Sequence, residues 1–490
     1  MNLTHTFVDW LSSRDPEEVR KMYSSFRQES IRLGGTTVWV SPNQREELVA
    51  PELPTFLSED EIIVLDDQTA ALEKNLISLI SEIGVRYTKN KGVLPAVIEV
   101  GGCSVPIPGL GSDELEMLEL LLSSPIHGVI IRPDFGYDLD GQRGYVFEVN
   151  AGAQGGGMAY SRLRNKIAIN DQLVQQFARD QRVELQYKNS LEAIMAQLAR
   201  SVDLPLKELK KQHLCFVGEA VFLTQAEHIH AVQTLNEWGY NASYSRLTDL
   251  EVGNHGLHHA GRKIDIAFRQ FRTCRLLDII HGRQEVSDLR RKYCGIETPD
   301  YTAADQETAR AFIEAARNGS LQIVNPLGSE VLGYKSFLAS LQVMDIGLAG
   351  CIPSSFLYQE GRLLPDHGNS AAILHSLATG DKRYMLKPAA GLGGAGVCLT
   401  KEQIKAGYQR LLAGDHYVVQ EMLSVMKART FGTFSGTGPL KPEERNQDLS
   451  WFGEAGYRRT SVIDTPSNVS QGASGDDQTR LGAVVTYRLK

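Results

Sequence analysis

The sequence lacks several features that would place it at once in a broad class of protein. It has no apolar run of about 18 residues, the length of a membrane-spanning helix. Its six cysteines are scattered, without a C-x-x-C pair, which favours reduced thiols over a disulfide framework or a structural zinc site. Neither H-E-x-x-H nor G-x-S-x-G occurs, so the sequence carries no metalloprotease or serine-hydrolase motif. The first residues, MNLTHTFVDWLSSR, lack the basic and apolar regions of a signal peptide, and we expect a cytoplasmic protein.

An excess of positive charge is also missing. The 51 lysines and arginines are outnumbered by 59 aspartates and glutamates, for a formal net charge of -8. This balance argues against nucleic acid or an anionic membrane surface as the main partner, although it leaves room for a local basic pocket. The hydrophobic fraction of 42% and the charged fraction of 22% exclude a disordered or fibrous chain.

The chain has 490 residues, too many for one compact core, and about 150 residues per domain predicts roughly three domains. The strand and helix patterns predict an α/β (α+β) fold, with a parallel, Rossmann-like sheet between His213 and Phe271. The predicted segments are 1–124, a mixed N-terminal region; 125–210, a hairpin and a helical connector that runs to about Val202; 211–330, the Rossmann-like unit; 331–430, a lysine-bearing strand with a glycine flap; and 431–490, a C-terminal lid and closing strand that includes the polar, flexible stretch GTGPLKPEERNQD.

Two strand-like runs, Gly128–Phe135 and Gly144–Asn150, are separated by DLDGQR and predict a β-hairpin. Polar residues recur on each run at a spacing of two, which places them side by side on one face of each strand. These polar residues are Arg132, Asp134, Glu148 and Asn150.

The register of this hairpin decides whether the polar residues meet. A three-residue loop centred on Gly141 would place Asp134 opposite Glu148 and Arg132 opposite Asn150. A two-residue turn would shift the register by one and send the two sets to opposite faces. The first arrangement collects hard oxygen ligands suited to Mg²⁺; the alternative is a solvated polar face.

A glycine-rich segment follows a strand-like run in MLKPAAGLGGAGV, residues 385–397. It matches G-x-G-x-x-G, but it runs into the strand-like VCLT rather than into a helix, and no Gly-Lys-[Ser/Thr] follows. A better interpretation is a strand that carries Lys387 and continues into a flap whose backbone amides close over phosphates. A glycine-rich hairpin with an exposed lysine is the alternative.

Two further segments suggest contacts to a nucleotide. Gln420 and Glu421 follow the apolar strand HYVV, where strand-end groups can hold an adenine and a ribose, or can simply be solvated. Lys335 is predicted at the start of a helix. A lysine is unfavourable there for the helix dipole, which favours a nearby anion.

Together these segments resemble the ATP-grasp superfamily. The resemblance lies in Lys335, the strand LKP with Lys387, the flap at 391–396, VVQE at 418–421, RPDF at 132–135 and EVN at 148–150. The metal-binding strands precede the Rossmann-like unit, which is the order of the circularly permuted branch that includes eukaryotic-type glutathione synthetases and glutathionylspermidine synthetases. NAGAQGGGMAYSR at 150–162 and the tail YRRTS…NVSQGASG at 457–475 resemble the substrate loop and lid of that branch.

The resemblance implies a role for each matching residue. It makes Asp134, Glu148 and Asn150 ligands of Mg²⁺, and Arg132 and Arg459 binders of a carboxylate or acyl phosphate. The implied ATP-binding residues are Lys335, Lys387, Gly393, Gly394, Gln420 and Glu421. Glutathione synthetases carry an acidic residue just before the flap glycines, where this chain has Ala390, which argues against glutathione itself as the product.

The activity implied is an ADP-forming amide or peptide ligase that uses ATP and magnesium. A carboxylate is activated to an acyl phosphate and attacked by an amine, so the partners are small amino-acid or peptide substrates. Two alternatives stay open: a ligase that loads an amino acid onto a carrier protein or peptide, and a non-catalytic ATP-binding protein. We expect no nucleic acid or membrane partner, and a homodimer is left open.

Overall fold

The computed structural model describes residues 2–32, 37–41, 44–47, 50–123, 126, 128–138, 143–152, 158–218, 225–253, 256–282, 301–344, 348, 350–359, 361–365, 368–389, 396–422, 427–431, 442–453, 455–461 and 480–489. Within these residues, every helix is too short or too polar to cross a bilayer.

The helices are α1 (Leu3–Ser12), α2 (Pro16–Arg32), α3 (Glu59–Lys89), α4 (Ser112–Leu122), α5 (Met158–Asn170), α6 (Gln172–Asp180), α7 (Ser190–Ser201), α8 (Leu206–Leu209), α9 (Gln225–Glu237), α10 (Thr273–Ile280), α11 (Ala303–Arg317), α12 (Phe337–Met344), α13 (Ser370–Thr379) and α14 (Lys401–Leu412), with 3₁₀ turns at Leu247–Asp249 and Ser329–Gly333. The strands are β1 (Thr37–Ser41), β2 (Gln44–Glu47), β3 (Ala50–Ser58), β4 (Val97–Val100), β5 (Cys103–Pro106), β6 (Ile131–Asp138), β7 (Arg143–Ala151), β8 (Val183–Gln186), β9 (His213–Gly218), β10 (Asn241–Arg246), β11 (Glu251–Gly253), β12 (Gly256–His259), β13 (Arg262–Lys263), β14 (Ile266–Arg269), β15 (Gln322–Val324), β16 (Ser355–Gln359), β17 (Arg362–Leu364), β18 (Tyr384–Pro388), β19 (Tyr417–Glu421), β20 (Lys427–Phe431), β21 (Pro442–Trp451), β22 (Gly456–Ser461) and β23 (Arg480–Leu489).

The largest sheet joins strands from both halves of the chain in the order β3-β23-β22-β21-β6-β7, with β20 paired to β21 and β8 paired to β23. Helix α3 packs against it with a buried apolar stripe that includes Leu65, Leu72 and Leu79. A capping box begins this helix: the Glu61 N–H donates to Ser58 Oγ (3.3 Å), and the Ser58 N–H donates to the Glu61 carboxylate (2.7 Å). The β6–β7 hairpin therefore lies at the edge of a large, well-anchored sheet.

At the polar residues the β6–β7 hairpin has the register that brings them together, but a β-bulge produces it and not the length of the turn. Asp134 lies opposite Glu148 and Arg132 opposite Asn150. Nearer the turn Asp138 pairs with Arg143, which is the register of the two-residue alternative. Between these regions the register shifts by one, and Phe147 is the extra residue of a β-bulge that restores the predicted alignment.

The bulge fits closely against the neighbouring strand, which gives a test of its role. A Cβ added at Gly136 would lie 2.0 Å from the Phe147 ring, so we expect Gly136→Ala to lower the free energy of unfolding by about 1–3 kcal/mol through overpacking. Urea denaturation measures the change. In a Phe147→Ala background the same substitution should cost little, and an equal cost in both backgrounds would contradict the contact.

A second sheet is parallel throughout, with the order β10-β9-β14-β15. Strands β9, β10 and β14 lie within the predicted range 213–271, and β9 is buried along its whole length. Its two faces are covered by apolar residues of α9 and α11, among them Leu235 and Phe312. At the end of β14, Arg269 is fully buried and forms an ion pair with Glu330 (2.5 Å).

The third sheet is antiparallel, with the order β17-β16-β19-β18, and α13 and α14 cover one face through a small apolar cluster. It carries Lys387 on β18, and Gln420 and Glu421 on β19.

Three sequence-based expectations are wrong. The connector to Val202 is not continuous helix, because β8 interrupts it and pairs with β23. The stretch GTGPLKPEERNQD was predicted to be flexible, but its part from Pro442 onward belongs to β21, a central strand whose polar residues hide any alternating pattern. The predicted strand VCLT is reduced to one bridge between Leu386 and Cys398 before α14 begins.

Candidate functional site

Asp134 is enclosed by polar groups from two neighbouring strands. Its side chain is buried, and Oδ1 accepts a hydrogen bond from Ser450 Oγ on β21 (2.7 Å). Oδ2 accepts from Asn150 Nδ2 (3.0 Å), and Arg132 Nε lies 3.4 Å from Oδ1. Asn150 also donates to the Arg132 carbonyl (3.2 Å). These contacts fix the orientation of the carboxylate before any ligand binds.

Glu148 and Lys335 form the next part of the site. Lys335 lies two residues before α12, and its Nζ is 3.3 Å from Glu148 Oε1. The 3₁₀ turn before it packs directly on β7: a Cβ at Gly333 would lie 2.7 Å from the Val149 carbonyl oxygen. The Lys335 N–H donates to the Ala389 carbonyl (3.1 Å), just beyond β18. The lysine is therefore held between the large sheet and the third sheet.

Lys387 on β18 is the second buried lysine, with its Nζ 5.7 Å from the centroid of the Phe147 ring. Burial and the neighbouring Lys335 ammonium lower the pKa of Lys387 to about 8, although Glu148 acts in the opposite direction. Within the described part of the chain, Lys387 has no hydrogen bond or ion pair.

Two buried ammonium groups meet at this point. Lys335 and Lys387 are each 4% exposed, and both interact with the carboxylate of Glu148. Buried charges are stabilised by groups of opposite charge, because burial removes their hydration. The phosphates of a polyphosphate would stabilise both ammonium groups through short, charge-assisted hydrogen bonds.

The two residues at the end of β19 point to different faces. Met385 pairs with Gln420 and Lys387 with Val418, so Gln420 shares a face of the sheet with Lys387, whereas Glu421 belongs to the other face. Gln420 is fully buried; its Nε2 donates to Ser355 Oγ (3.0 Å), and its Oε1 has no hydrogen-bond partner in the described part of the chain. Glu421 instead accepts from Ser354 Oγ (2.8 Å).

Three predicted site residues cannot be compared in the same way. Gly393 and Gly394 lie outside the described residues. Arg459 is on β22, opposite Asp448 of β21 and Leu481 of β23, but its side chain lies outside the described part.

Sequence reasoning missed two residues of the site. Ser450 follows an irregular polar stretch, and nothing in its neighbourhood predicts that β21 pairs with β6. Phe147 carried no signal either, because its position depends on the bulge. The side chain of Phe147 brings an aromatic ring close to Lys387, and Ser450 fixes Asp134.

The predicted metal ligands fit Mg²⁺ only as part of a site shared with a phosphate. No group of three or more His, Cys, Asp or Glu residues that could hold a metal ion occurs among the described residues. Mg²⁺ needs only one or two protein carboxylates when phosphate oxygens and water complete its shell. Glu148 Oε2 has no hydrogen bond to any described residue.

No protein-family model matches the chain, and no curated protein sequence matches it. Among solved structures, the chain is similar to a glutathione synthetase-like effector (GSS30) from Globodera pallida in its apo form. The sequence identity is 12%, the TM-score is 0.53, and the match covers 98% of this chain and 96% of that one. At this identity the similarity shows a shared fold and nothing about activity.

Two other similarities are weaker. The ATP-grasp ligase PsnB, solved with a minimal precursor, has 14% identity and a TM-score of 0.28, with 56% of this chain and 89% of that one covered. D-alanyl-alanine synthetase A from Vibrio cholerae O1 has 12% identity and a TM-score of 0.23, with 49% and 68% covered. These two scores are too low to support a conclusion about this chain.

Proposed function

We propose that this chain is an ATP-dependent, Mg²⁺-requiring ligase that joins a carboxylate to an amine. The observation that carries the proposal is the meeting of two buried lysines, Lys335 and Lys387, at one carboxylate, Glu148. Asp134 and Asn150 lie on the same hairpin as Glu148, and their side chains are hydrogen-bonded to each other. This arrangement provides a place for a polyphosphate and, next to it, oxygen ligands for the accompanying metal ion.

We also propose the circularly permuted order of the ATP-grasp fold, with an inserted Rossmann-like unit. Its support is the chain order: the hairpin β6–β7 precedes the parallel sheet, and the sheet that carries Lys387 follows. The predicted domain boundaries at 124, 210, 330 and 430 belong to the same proposal. So does a cytoplasmic location.

The reaction would proceed in two transfers. The substrate carboxylate takes the terminal phosphoryl group of ATP and releases ADP, and the amine then displaces phosphate to leave an amide and a proton. Lys335 and Lys387 would neutralise the phosphate oxygens, since phosphoryl transfer depends on positioning and charge more than on a nucleophilic side chain. Asp134, Glu148 and Asn150 would hold Mg²⁺, which supplies charge neutralisation between phosphates when bound. Arg132 and Arg459 would bind the substrate carboxylate or the acyl phosphate.

A phosphate-release screen over pairs of carboxylates and amines, with Mg·ATP present, tests the activity. We expect at least one pair to release phosphate in equal amounts with ADP and amide. Release that depends on a small protein or peptide as acceptor would favour the carrier-loading alternative. ATP binding without turnover for every pair would favour the non-catalytic alternative and contradict the ligase.

Glu148→Gln is the matched variant for this screen, because it removes the charge and keeps the size. We expect the variant to lose at least about 10²-fold in turnover, since the carboxylate contributes to transition-state charge balance. Because Glu148 also pairs with the buried Lys335, thermal unfolding is measured in parallel to check that the variant is folded under the assay conditions. Raising the Mg²⁺ concentration should restore part of the rate. Activity near the wild-type level at low Mg²⁺ would contradict the metal-site assignment.

The binding of ATP should also depend on pH through Lys387. Its pKa in the folded chain is about 8, below the ordinary 10.5, so the side chain is cationic below about pH 8 and loses its charge above it. We expect ATP to bind about tenfold more weakly at pH 9 than at pH 7 from this group alone. Calorimetric titration at the two pH values measures the change. An equally large change in Lys387→Met would assign it to another group.

A further inference from the structure

A cleft of about 530 Å³ lies along helix α5, toward its C-terminal end. The N-terminal end of the same helix follows the β6–β7 hairpin of the proposed ATP site. The cleft is formed by α5, the start of α6, the connection between β8 and α7, and the turn after α9. Its volume is within the range of small-molecule sites. The polar side chains that line it include Arg162, Lys166, Asn170, Gln175 and Glu192.

One wall of the cleft is cationic. Arg162 and Lys166 are one helical turn apart, so they share a face of α5. Arg162 is held by a hydrogen bond from Nη1 to Thr234 Oγ1 (3.1 Å), and its guanidinium carbon lies 5.6 Å from the centroid of the Trp238 ring. Arg162 Nε is buried without a partner, and Lys166 is exposed without one in the described part of the chain. This pair suits a carboxylate.

The other lining residues provide acceptors. Asn170 Nδ2 and Gln175 Nε2 each donate to a backbone carbonyl of α5, at 2.8 and 2.5 Å, so their side-chain oxygens remain as acceptors. Glu192 accepts a hydrogen bond from Asn189 Nδ2 (3.2 Å) and also lines the cleft. An ammonium group is the cation that such a set of oxygens suits.

Two aromatic side chains complete the lining. Trp238 is half-buried, and Tyr187 is 37% exposed, with its hydroxyl donating to the Arg162 carbonyl (3.3 Å). Burial raises the pKa of Tyr187 to about 12, so the ring stays neutral at physiological pH. These rings offer an apolar surface between the cationic and anionic groups.

We propose that this cleft binds a free α-amino acid with an apolar side chain. The carboxylate would lie at Arg162 and Lys166, the ammonium at Glu192 and the amide oxygens, and the side chain against Tyr187 and Trp238. None of these residues belongs to the proposed ATP site, so the inference does not depend on the ligase activity. The site is attached to the main sheet, because Ser161 of α5 donates to the Gly456 carbonyl at the start of β22 (2.7 Å).

Calorimetric titration with L-phenylalanine and L-leucine, without ATP, tests the proposal on the full-length chain. We expect saturable binding, at least about tenfold weaker for 3-phenylpropionate, which lacks the ammonium, and for phenethylamine, which lacks the carboxylate. Lys166→Ala should weaken binding to a similar extent. Arg162→Gln should also weaken binding, but Arg162 is partly buried and its loss could affect folding. Lys166 is exposed, so Lys166→Ala is expected to fold.

Lys387→Met separates this cleft from the proposed ATP site. Unchanged amino-acid binding in Lys387→Met, together with weaker binding in Lys166→Ala, would support the cleft. The proposal would be overturned by the absence of saturable binding up to about 10 mM. Binding that Lys387→Met abolishes, or that Lys166→Ala leaves unchanged, would also overturn it.

Discussion

Replacing Lys387 with methionine should lower ATP-dependent turnover by at least about 10²-fold, because the lysine is placed to stabilise charge in phosphoryl transfer. The same substitution should raise the free energy of unfolding of the ligand-free protein at pH 7. Burial lowers the pKa of Lys387 from 10.5 to about 8, so the charged form is destabilising in the folded state by about 3 kcal/mol. Methionine has a similar length and no charge, and it should recover part of that cost.

The gain in the free energy of unfolding from Lys387→Met should depend on pH, which provides a second test of its sign. Between about pH 8 and 10.5, the unfolded chain binds a proton at Lys387 that the folded chain does not. The contribution of this group to the free energy of unfolding therefore rises with pH in that window, and it is at its most unfavourable below about pH 8. The gain from Lys387→Met should shrink as pH increases through the window.

Lys382, in the turn just before β18, offers a matched control, because its side chain is exposed. Lys382→Met should leave both turnover and thermal stability nearly unchanged. Turnover and thermal unfolding are measured for the two variants in parallel. The comparison distinguishes the specific effect of Lys387 from a general effect of removing a lysine. If Lys387→Met is less stable than the wild type and equally active, both expectations, the gain in stability and the loss of turnover, are contradicted.

Replacing Arg269 with methionine should lower the free energy of unfolding by about 3–5 kcal/mol, since it leaves a buried carboxylate without its partner. Arg269 is 0% exposed and donates to Glu330 (2.5 Å) and to Ser329 Oγ (3.0 Å). Its remaining hydrogen bonds go to backbone carbonyls, including Asn325 (3.0 Å) and Pro326 (2.8 Å). The guanidinium therefore joins β14 to the turn that leads to Lys335.

The partner carboxylate explains the size of the effect. Burial alone would raise the pKa of Glu330, but the Arg269 guanidinium and hydrogen bonds, including one from the Thr273 N–H, hold it below the usual range. Chemical denaturation measures the loss. The exposed pair Arg246–Asp249 (2.6 Å) is the control, and Arg246→Met should cost at most about 1 kcal/mol. Similar losses in both variants would show that burial does not decide the strength of the ion pair.

The sequence predicted those parts of the fold that have a regular local pattern. The apolar run 213–218 forms a buried parallel strand within the predicted parallel sheet. The pairing of Asp134 with Glu148 was also predicted, although the bulge at Phe147 and not the loop length produces it. Period-2 and period-3.6 patterns are visible in a single sequence, whereas a bulge is not.

The missed elements depend on contacts between distant parts of the chain. Strand β21 has a polar sequence, yet it pairs with β22 on one side and with β6 on the other. Strand β3 pairs with β23, more than 400 residues away, in parallel. No local pattern encodes such partners. For the same reason Ser450, which donates to Asp134, could not be predicted as part of the site.

The placement of the candidate site could be predicted only in part. Lys335, Lys387 and Glu148 come from three separate segments, and the structure brings them together. Glu421, by contrast, belongs to the face of the third sheet opposite to Lys387 and bonds to Ser354. The roles assigned to all of the site residues stay predictions.

The most direct measurement of the central claim is calorimetric titration of Mg·ATP into the wild-type chain and into Lys387→Met at about pH 7, where Lys387 is charged. We expect saturable binding to the wild type, and binding at least about tenfold weaker to the variant, because a charge-assisted contact to phosphate is lost. Absence of Mg·ATP binding to the wild type, or equal affinity in the two proteins, would contradict it.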